Sequence, residues 1–511
     1  MKIGSILTTH ASYRQDHTAV IFGAQRLSFR EFNGRVNRLA NALVREGVKP
    51  GDKIACVLPN CLEILELYWA TAKIGAVAVP LSPLLNSGGL KALIEHSDSV
   101  LVFLTDDITA QLDPQSHNLT LPVDRRIVVG SKRVGYRDFV SLIGGCSSEE
   151  PKTPVIEPSS PLMIVYSSGT TGEPKGIVLS HHARAMYCTL YASAWRMTPE
   201  SISLHTGSLV FNGAFMTLMP SFFLGGTYIL HEQFKPEEVV KTIEREGVTH
   251  IVMVPSQIIA LLDCPIFDAK RLASLEGIIS LGATLHLSHK KRLLDLIGPR
   301  FYEMYGLAEG FMTVLDKQVA ATKLASVGTP PPFFEMRIVD DSGMVVSAGT
   351  IGEIIGKGPI MMEGYYRRPD LTEKAIANGW LRSGDAGYVD QDGYLYLSDR
   401  LKDMIKSGGV SVYPRDIEEV IVRHPAIQEA AVFGVPHEKW GESPVAAIIL
   451  SSDCTGDIPV SELQTWINEN VSAKFQRIND LIVLDSFPRN AAGKTLKRII
   501  QENYLKRQLH C

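Results

Sequence analysis

The chain has 511 residues, which is too long for one ordinary hydrophobic core and predicts a large composite domain with at least one smaller domain. Its hydrophobic content of 45%, its charged content of 21% and its net charge of -4 are typical of a soluble globular protein. The small negative net charge excludes a general electrostatic attraction for nucleic acid, so an anionic ligand has to be met by local positive charge.

The cysteines and the hydropathy pattern limit the cellular context. Seven scattered cysteines form no CxxC pair, which predicts neither a disulfide framework nor a zinc site and favours a reducing cytoplasm. The N-terminal residues lack the apolar run of a signal peptide, and the most apolar later stretch, residues 62–81, is interrupted by Glu63, Glu66 and Lys73. We therefore expect no membrane span, and we leave open peripheral membrane association and the choice between monomer and homodimer.

Helical and strand-like segments alternate through the first part of the chain. Apolar residues between positions 29 and 44 follow helical spacing, and a turn at residues 50–52 leads to a short apolar run that is typical of a strand. Similar strand-like runs, with helical segments between them, occur at residues 54–58, 77–79, 101–104, 250–254 and 277–281. This alternation predicts an α/β fold with parallel sheets covered by helices.

The pattern changes near residue 352, where shorter segments rich in glycine and β-forming residues predict a small β-rich subdomain. We interpret the charged segment 399–403 as an exposed hinge rather than a core strand. The helices and strands predicted after it, at residues 416–423, 429–433, 445–450 and 461–470, form a compact α+β unit. We therefore divide the chain into an N-terminal domain (residues 1–400) of two helix-covered sheets plus the β-rich subdomain, and a small C-terminal domain (residues 401–511).

The strongest local signal is the segment YSSGTTGEPKG at residues 166–176. Its small residues let backbone N–H groups approach an anion closely, its hydroxyls add hydrogen-bond donors, and Lys175 adds a positive charge. The pattern GxxxxGK[ST] cannot be laid on this segment, and in the similar tail sequence 492–495 the first glycine would have to stand at Pro488. The sequence therefore predicts a polyphosphate-binding loop that is not the loop of a P-loop NTPase.

This loop resembles the phosphate-binding signature of the adenylate-forming superfamily, which includes acyl-CoA synthetases, coumarate-CoA ligases, firefly luciferase and peptide-synthetase adenylation domains. Four further segments resemble that family in the expected order: YGLAE at 305–309, SGD at 383–385, DRLKD at 399–403 and PRNAAGK at 488–494. The resemblance implies an AMP-forming acid:CoA ligase. Such an enzyme activates a carboxylic acid with MgATP as an acyl-adenylate and then passes the acyl group to coenzyme A.

The resemblance also implies roles for individual residues around the nucleotide. Tyr305 packs on adenine, and Asp385 and Arg400 bind the ribose hydroxyls. Glu309 helps to hold Mg²⁺ near the phosphates, since a hard cation prefers oxygen ligands. The residues expected to bind ATP or AMP are Ser167, Ser168, Gly169, Thr170, Thr171, Gly172, Gly282, Ala283, Thr284, Tyr305, Gly306, Asp385 and Arg400, and those expected to be catalytic are Lys175, Glu309 and Lys494.

By the same resemblance the C-terminal domain is mobile. Lys494 corresponds to the lysine that reaches into the site during adenylation, where a cation between the carboxylate and the α-phosphate stabilises the transition state. Lys402 corresponds to the hinge about which the domain turns after pyrophosphate leaves. Lys406, Gly408 and Gly409 occupy the position of the coenzyme A channel, where glycine lets a thiol arm pass close to the backbone.

Two further features concern the substrates. Most relatives have threonine where this chain has Ala308, but alanine also occurs there in aryl-acid-activating and fatty-acyl-AMP ligases, so a carrier-protein thiol stays open as an alternative acceptor. A luciferase-like oxygenase and a non-enzymatic nucleotide-binding protein are weaker alternatives. The acyl pocket is expected to include Phe211, Asn212 and Phe215, and its apolar residues suit an aliphatic or aromatic acid better than an amino acid.

Overall fold

In the computed structural model of the protein, helices and strands alternate through the first 307 residues. The structure describes residues 2–112, 119–152, 154–167, 175–400, 403–407, 410–438, 440–451, 458–490 and 495–508, without the side chains of Ser167, Asp399, Arg400 and Ser411.

Some helices begin at a residue whose side chain caps them. Helix α2 (Phe29–Arg45), for example, starts with a capping box, because the Ser28 hydroxyl accepts from the N–H of Glu31 and the Glu31 carboxylate accepts from the N–H of Ser28. The α-helices of the described residues are α1 (Ser5–Tyr13), α2 (Phe29–Arg45), α3 (Leu62–Ile74), α4 (Ser87–His96), α5 (Asp106–Gln111), α6 (Phe139–Ile143), α7 (His181–Trp195), α8 (Phe215–Leu224), α9 (Pro236–Glu246), α10 (Pro255–Leu262), α11 (Leu287–Ile297), α12 (Pro369–Ala375), α13 (Pro414–Ile421), α14 (Val460–Asn470) and α15 (Lys497–Gln508).

The strands form four sheets among the described residues. They are β1 (Thr18–Phe22), β2 (Gln25–Ser28), β3 (Lys53–Val57), β4 (Val77–Pro80), β5 (Ser99–Thr105), β6 (Arg126–Val129), β7 (Arg137–Asp138), β8 (Pro161–Ser167), β9 (Lys175–Ser180), β10 (Ile202–His205), β11 (Thr227–Leu230), β12 (His250–Met253), β13 (Gly277–Ser280), β14 (Phe301–Leu307), β15 (Phe311–Leu315), β16 (Glu335–Val339), β17 (Gly352–Lys357), β18 (Gly364–Tyr365), β19 (Ile376–Ala377), β20 (Trp380–Val389), β21 (Leu395–Arg400), β22 (Ile405–Ser407), β23 (Val410–Val412), β24 (Ile427–His437), β25 (Gly441–Leu450) and β26 (Asp480–Val483).

The two large sheets have eight strands each and are mostly parallel. The first runs in the order β15-β14-β13-β12-β10-β11-β1-β2, and only its edge pairs, β14 with β15 and β1 with β2, are antiparallel. The second runs in the order β18-β9-β8-β4-β3-β5-β6-β7, with antiparallel pairing at the β8, β9 and β18 end. One apolar core joins α2, α3, α7 and α8 to strands of both sheets. The prediction of two helix-covered sheets is confirmed.

The later part of the chain is β-rich, as predicted. Strands β16, β17, β19, β20 and β21 form an antiparallel sheet, and β22 to β26 form another five-stranded sheet with helices α13, α14 and α15 around it. The predicted exposed hinge at residues 399–403 is wrong in its first two residues. Arg400 and Asp399 continue β21, because they pair with Asp385 and Ala386 of β20. Among the described residues, every helix is too short or too polar to cross a membrane.

Candidate active site

The residues predicted to surround adenine lie at one edge of the first large sheet. Strands β13 and β14 are parallel neighbours, and Ser280 pairs with Glu303, two residues before Gly282 and Tyr305. Residues 282–284 follow β13, and Gly306 follows Tyr305 near the end of β14. In open α/β sheets, ligands bind outside the carboxyl ends of the strands. The structure therefore brings these two predicted segments to the edge where a ligand is expected.

The predicted adenine and ribose contacts meet each other directly. The hydroxyl of Tyr305 donates a hydrogen bond of 2.8 Å to Oδ2 of Asp385, which lies in β20. Asp385 is 9% exposed, and its backbone N–H donates to the Ser383 hydroxyl at 3.0 Å. Arg400 is the partner of Asp385 in β21, although the side chain of Arg400 lies outside the described residues. The hydrogen bond between Tyr305 and Asp385 thus links the large sheet to the β-rich subdomain.

Glu309 lies in the turn between β14 and β15. A Cβ atom at the next residue, Gly310, would lie 2.2 Å from the Cα of Met361, and Gly310 has a φ of +119°. Only glycine therefore allows the two backbone segments to approach this closely. The N–H of Met362 donates to the carbonyl of Glu309 at 2.8 Å, and this bond holds the backbone of the turn at Glu309.

Tyr365 connects Glu309 to Lys175. Its hydroxyl donates a hydrogen bond of 2.8 Å to Oε1 of Glu309, and Nζ of Lys175 lies 5.7 Å from the centroid of its ring. Burial and then the neighbouring carboxylate raise the pKa of Tyr365 above its ordinary value, so the phenol stays protonated and remains a donor. Tyr365 thus contacts a carboxylate through its hydroxyl and a cation through its ring, at the base of the predicted phosphate-binding loop.

That loop joins the antiparallel strands β8 and β9. Ser167 and Lys175 are partners at the end of this hairpin, which sets the base of the loop. The remaining predicted phosphate contacts lie outside the described residues: Ser168, Gly169, Thr170, Thr171 and Gly172.

The predicted acyl-pocket residues lie beside the adenine edge. Phe211 is half-buried, Asn212 begins a short 3-10 helix, and Phe215, at the start of α8, is 2% exposed. A Cβ atom at Gly213 would lie 3.0 Å from Cδ1 of Leu281, the residue before Gly282. This close approach brings the predicted acyl-pocket segment to the predicted nucleotide segment.

Buried polar side chains hold the loop that leads into this segment. Asn60 donates from Nδ2 to the carbonyl of Gly207 at 2.6 Å, and its Oδ1 accepts from the N–H of Leu209 at 2.9 Å. The hydroxyl of Tyr68 donates to the carbonyl of Leu209 at 3.0 Å. The loop is therefore fixed from the α3 side, which gives the acyl-pocket segment a defined position.

The C-terminal predictions are described only in part. Lys406 is an exposed residue of β22, and its N–H donates to the Glu442 carboxylate at 2.7 Å. The other predicted residues of this region, Lys402, Gly408, Gly409 and Lys494, lie outside the described residues.

Glu419 joins the C-terminal unit to helix α11 of the N-terminal part of the chain. Glu419 of α13 lies 3.4 Å from Nδ1 of His286, and its carboxylate accepts from the N–H of Leu287 at 3.5 Å, at the start of α11. Burial acts to raise the pKa of Glu419, but the neighbouring His286 and Arg415 side chains and the N–H of Leu287 bring it below its ordinary value. The Arg415 guanidinium also donates to the carbonyl of Leu397 at 2.8 Å.

Two regions of the chain match known protein families. Residues 7–366 match the AMP-binding enzyme family, and residues 416–494 match the AMP-binding enzyme C-terminal domain. The chain belongs to the AMP-binding enzyme family. This confirms the resemblance on which the predictions rest.

The relatives of this AMP-binding enzyme match it over nearly its whole length. It is 32% identical to a feruloyl-CoA synthase of Amycolatopsis sp, over 98% of this chain and 99% of the relative. It is 29% identical to the medium/long-chain-fatty-acid–CoA ligase FadD8 of Mycobacterium tuberculosis, over 98% of this chain and 90% of the relative. The structure of ATP-bound MatB from Rhodopseudomonas palustris superposes with a TM-score of 0.90 at 27% identity, and covers 98% of each chain. The predicted AMP-forming acid:CoA ligase, with ATP and coenzyme A as co-substrates, is confirmed.

Sequence reasoning missed three residues of this AMP-binding enzyme that hold the site together. Tyr365 orients Glu309, while Asn60 and Tyr187 support the acyl-pocket segment, the latter by accepting from Nδ2 of Asn212 at 3.0 Å. Tyr365 follows Gly364 in a short strand that pairs with β9. The Tyr-Tyr pair at 365–366, between the motifs at 305–309 and 383–385, is the local signal that could have pointed to it.

Proposed function

We propose that the acid activated by this ligase has an apolar aliphatic or aromatic body, and that it lies between the acyl-pocket segment and the nucleotide edge of the first large sheet. The observation that carries the proposal is the close approach of Gly213 to Leu281 beside Gly282, with Phe215 buried next to it. Apolar burial is the main source of affinity for such an acid. The feruloyl and fatty-acid substrates named for the two relatives are of the same apolar kind.

In the first half-reaction, a carboxylate oxygen of the acid forms a bond to the α-phosphorus of ATP, and the bond from that phosphorus to the departing pyrophosphate oxygen breaks. This displacement needs positioning and charge neutralisation more than a protein nucleophile. Tyr305 and the pair Asp385 and Arg400 hold the nucleoside, the loop at 167–172 and Lys175 hold the phosphates, and Lys494 neutralises the two anions as they meet.

The described residues suit a Mg²⁺ ion that is held jointly by the protein and the substrate phosphates. The described part of the chain contains no group of three or more His, Cys, Asp or Glu side chains that could hold a metal ion by themselves. Mg²⁺ is commonly held by one or two carboxylates together with substrate phosphates, so Glu309 is the residue that would hold it, oriented by Tyr365. When bound, the ion neutralises the charge of the phosphates.

In the second half-reaction, the sulfur of coenzyme A forms a bond to the acyl carbonyl carbon, the bond from that carbon to the AMP oxygen breaks so that AMP leaves, and the thiol proton passes to solvent. We propose that the C-terminal domain, residues 401–511, turns about Lys402 between the two steps, which withdraws Lys494 and brings Lys406, Gly408 and Gly409 to the site. We also propose that the enzyme acts in the cytoplasm as a monomer or a homodimer.

The test is a product analysis with a panel of aliphatic and aromatic acids, ATP, Mg²⁺ and either coenzyme A or a phosphopantetheine-bearing carrier protein. We expect an apolar acid to give AMP, pyrophosphate and acyl-CoA in equal amounts. Activity with amino acids alone would contradict the apolar pocket. Acyl transfer to the carrier protein but not to coenzyme A would show that the carrier-protein thiol is the acceptor.

A further inference from the structure

A fully buried arginine lies against the proposed acyl pocket. Arg184 of α7 is 0% exposed, and its Cζ lies 4.0 Å from the ring centroid of Phe215 and 4.6 Å from that of Tyr187. Within the described part of the chain, its one hydrogen bond runs from Nη2 to the Sδ of Met163 at 3.4 Å, and Nε and Nη1 have no partner. The structure thus records a guanidinium in the interior with no carboxylate beside it among the described residues.

The neighbouring aromatic rings do not supply the hydrogen-bond acceptors that the N–H groups of Arg184 lack. Aromatic rings attract the face of a guanidinium, but its five N–H groups point outward in the plane and still need acceptors. A thioether sulfur is only a weak acceptor. Burial lowers the pKa of Arg184 below its ordinary value, because a positive charge is poorly stabilised in the protein interior when no negative charge lies beside it. An anion that bound beside Arg184 would supply both the charge and the acceptors.

A second unsatisfied group lies in the same place. Oδ1 of Asn212 is buried and has no hydrogen-bond partner among the described residues, while its Nδ2 donates to the hydroxyl of Tyr187, whose ring contacts Arg184. Turning the amide by 180° would let Oδ1 accept from that hydroxyl and would make Nδ2 a donor for a ligand. We call Arg184, Tyr187, Asn212 and Phe215 the arginine cluster. Two of its members, Asn212 and Phe215, belong to the proposed acyl pocket.

We propose that Arg184 binds a second carboxylate at the far end of the acid, so that the preferred substrates are dicarboxylic acids with a hydrocarbon spacer. The inference rests on the proposed function, because it places the acyl body beside Asn212 and Phe215. A fork of N–H groups matches a carboxylate in two hydrogen bonds. A monocarboxylic acid of the same length would leave the guanidinium buried and unpaired, and sites of this kind discriminate strongly against a substrate that lacks the expected group.

The first test uses the wild-type enzyme and matched acids. Pyrophosphate release is measured with butanoate and succinate, hexanoate and adipate, octanoate and suberate, and benzoate and the benzenedicarboxylates, at saturating ATP and coenzyme A. We expect the best dicarboxylate to exceed its monocarboxylate partner in kcat/KM by about 30-fold or more, the size expected for a buried charge pair. A best monocarboxylate equal to or better than every dicarboxylate overturns the inference and leaves the proposed function intact. No release with any acid overturns both.

The second test replaces Arg184 with residues of similar length. In Arg184→Met we expect KM for the dicarboxylate to rise by about 30-fold or more, KM for ATP to change by less than about twofold, and activity with the monocarboxylate to be kept or raised. Arg184→Lys keeps the charge and should restore part of the dicarboxylate activity. Asn212→Asp places a carboxylate in the cluster and should remove the dicarboxylate preference. An equal loss for both acid classes in Arg184→Met, with a lowered Tm, would mean a structural role and would contradict the inference.

Discussion

Tyr305 donates a hydrogen bond of 2.8 Å from its hydroxyl to Oδ2 of Asp385, across the boundary between the first large sheet and the β-rich subdomain. The two residues come from motifs that are about 80 positions apart in the chain. In the proposed function they contact adenine and ribose, so the hydrogen bond holds the adenine contact and the ribose contact in fixed positions relative to each other.

Removal of this hydroxyl should weaken nucleotide binding without changing the chemistry. For Tyr305→Phe we expect KM for ATP to rise by about 2- to 10-fold, because a single hydrogen bond contributes about 0.5–1.5 kcal/mol. The ring remains to pack on adenine, so kcat should stay close to that of the wild type. Steady-state kinetics with ATP as the varied substrate measures the effect, and an unchanged KM for ATP would show that the bond does not position Asp385.

Tyr365→Phe removes the donor that orients Glu309. We expect the Mg²⁺ concentration for half-maximal activity to rise and kcat/KM to fall about 2- to 10-fold, since the carboxylate loses one hydrogen bond. Tyr366→Phe is a matched control, because the adjacent hydroxyl donates instead to the exposed Asp98, at 2.8 Å. An equal dependence of activity on Mg²⁺ concentration in the two variants would show that Tyr365 does not affect Mg²⁺ binding.

The strand that carries Tyr305 depends on a buried ion pair. Lys290 and Glu303 are 0% and 1% exposed and are bonded to each other, and Nζ of Lys290 also donates to the carbonyl of Leu324 at 3.1 Å. Lys290→Ala should lower the free energy of unfolding by about 3–5 kcal/mol, because Glu303 is left buried and unpaired. Lys291→Ala changes an exposed neighbour and should stay within about 0.5 kcal/mol. Denaturant unfolding of both variants measures the difference.

Glu419 gives the contact between α13 and α11 a defined pH dependence. Its pKa is lowered in the folded protein, so the stability it adds is present above its ordinary value of 4.5 and is lost as the pH falls through the lowered value. At pH 7, Glu419→Gln should reduce the free energy of unfolding by about 1–2 kcal/mol. The difference from the wild type should shrink as the pH falls below 4.5 and through the lowered pKa of Glu419. A difference that stays constant from pH 7 to pH 3 would show that the charge of Glu419 is not involved.

The sequence could predict the motifs because each one is a short, continuous segment whose residue types already suit its chemistry. It could not predict Tyr365, whose position depends on the pairing of β18 with β9 across more than 180 positions of the chain. Nor could it predict that Arg184 would stay unpaired, because a helical arginine is ordinarily solvated. The hinge prediction failed at Asp399 and Arg400 because sheet pairing with β20 outweighed the high local charge.

Adenylation is expected to be a complete reaction that does not need coenzyme A and that depends on Lys494. The most direct test is acid-dependent exchange of labelled pyrophosphate into ATP without coenzyme A, together with thioester formation from a supplied acyl-adenylate. We expect the wild type to catalyse both, and Lys494→Ala to lose the exchange by about 100-fold or more while it largely keeps thioester formation. Absence of exchange with every acid that supports overall turnover, or equal loss of both half-reactions in Lys494→Ala, would contradict the account.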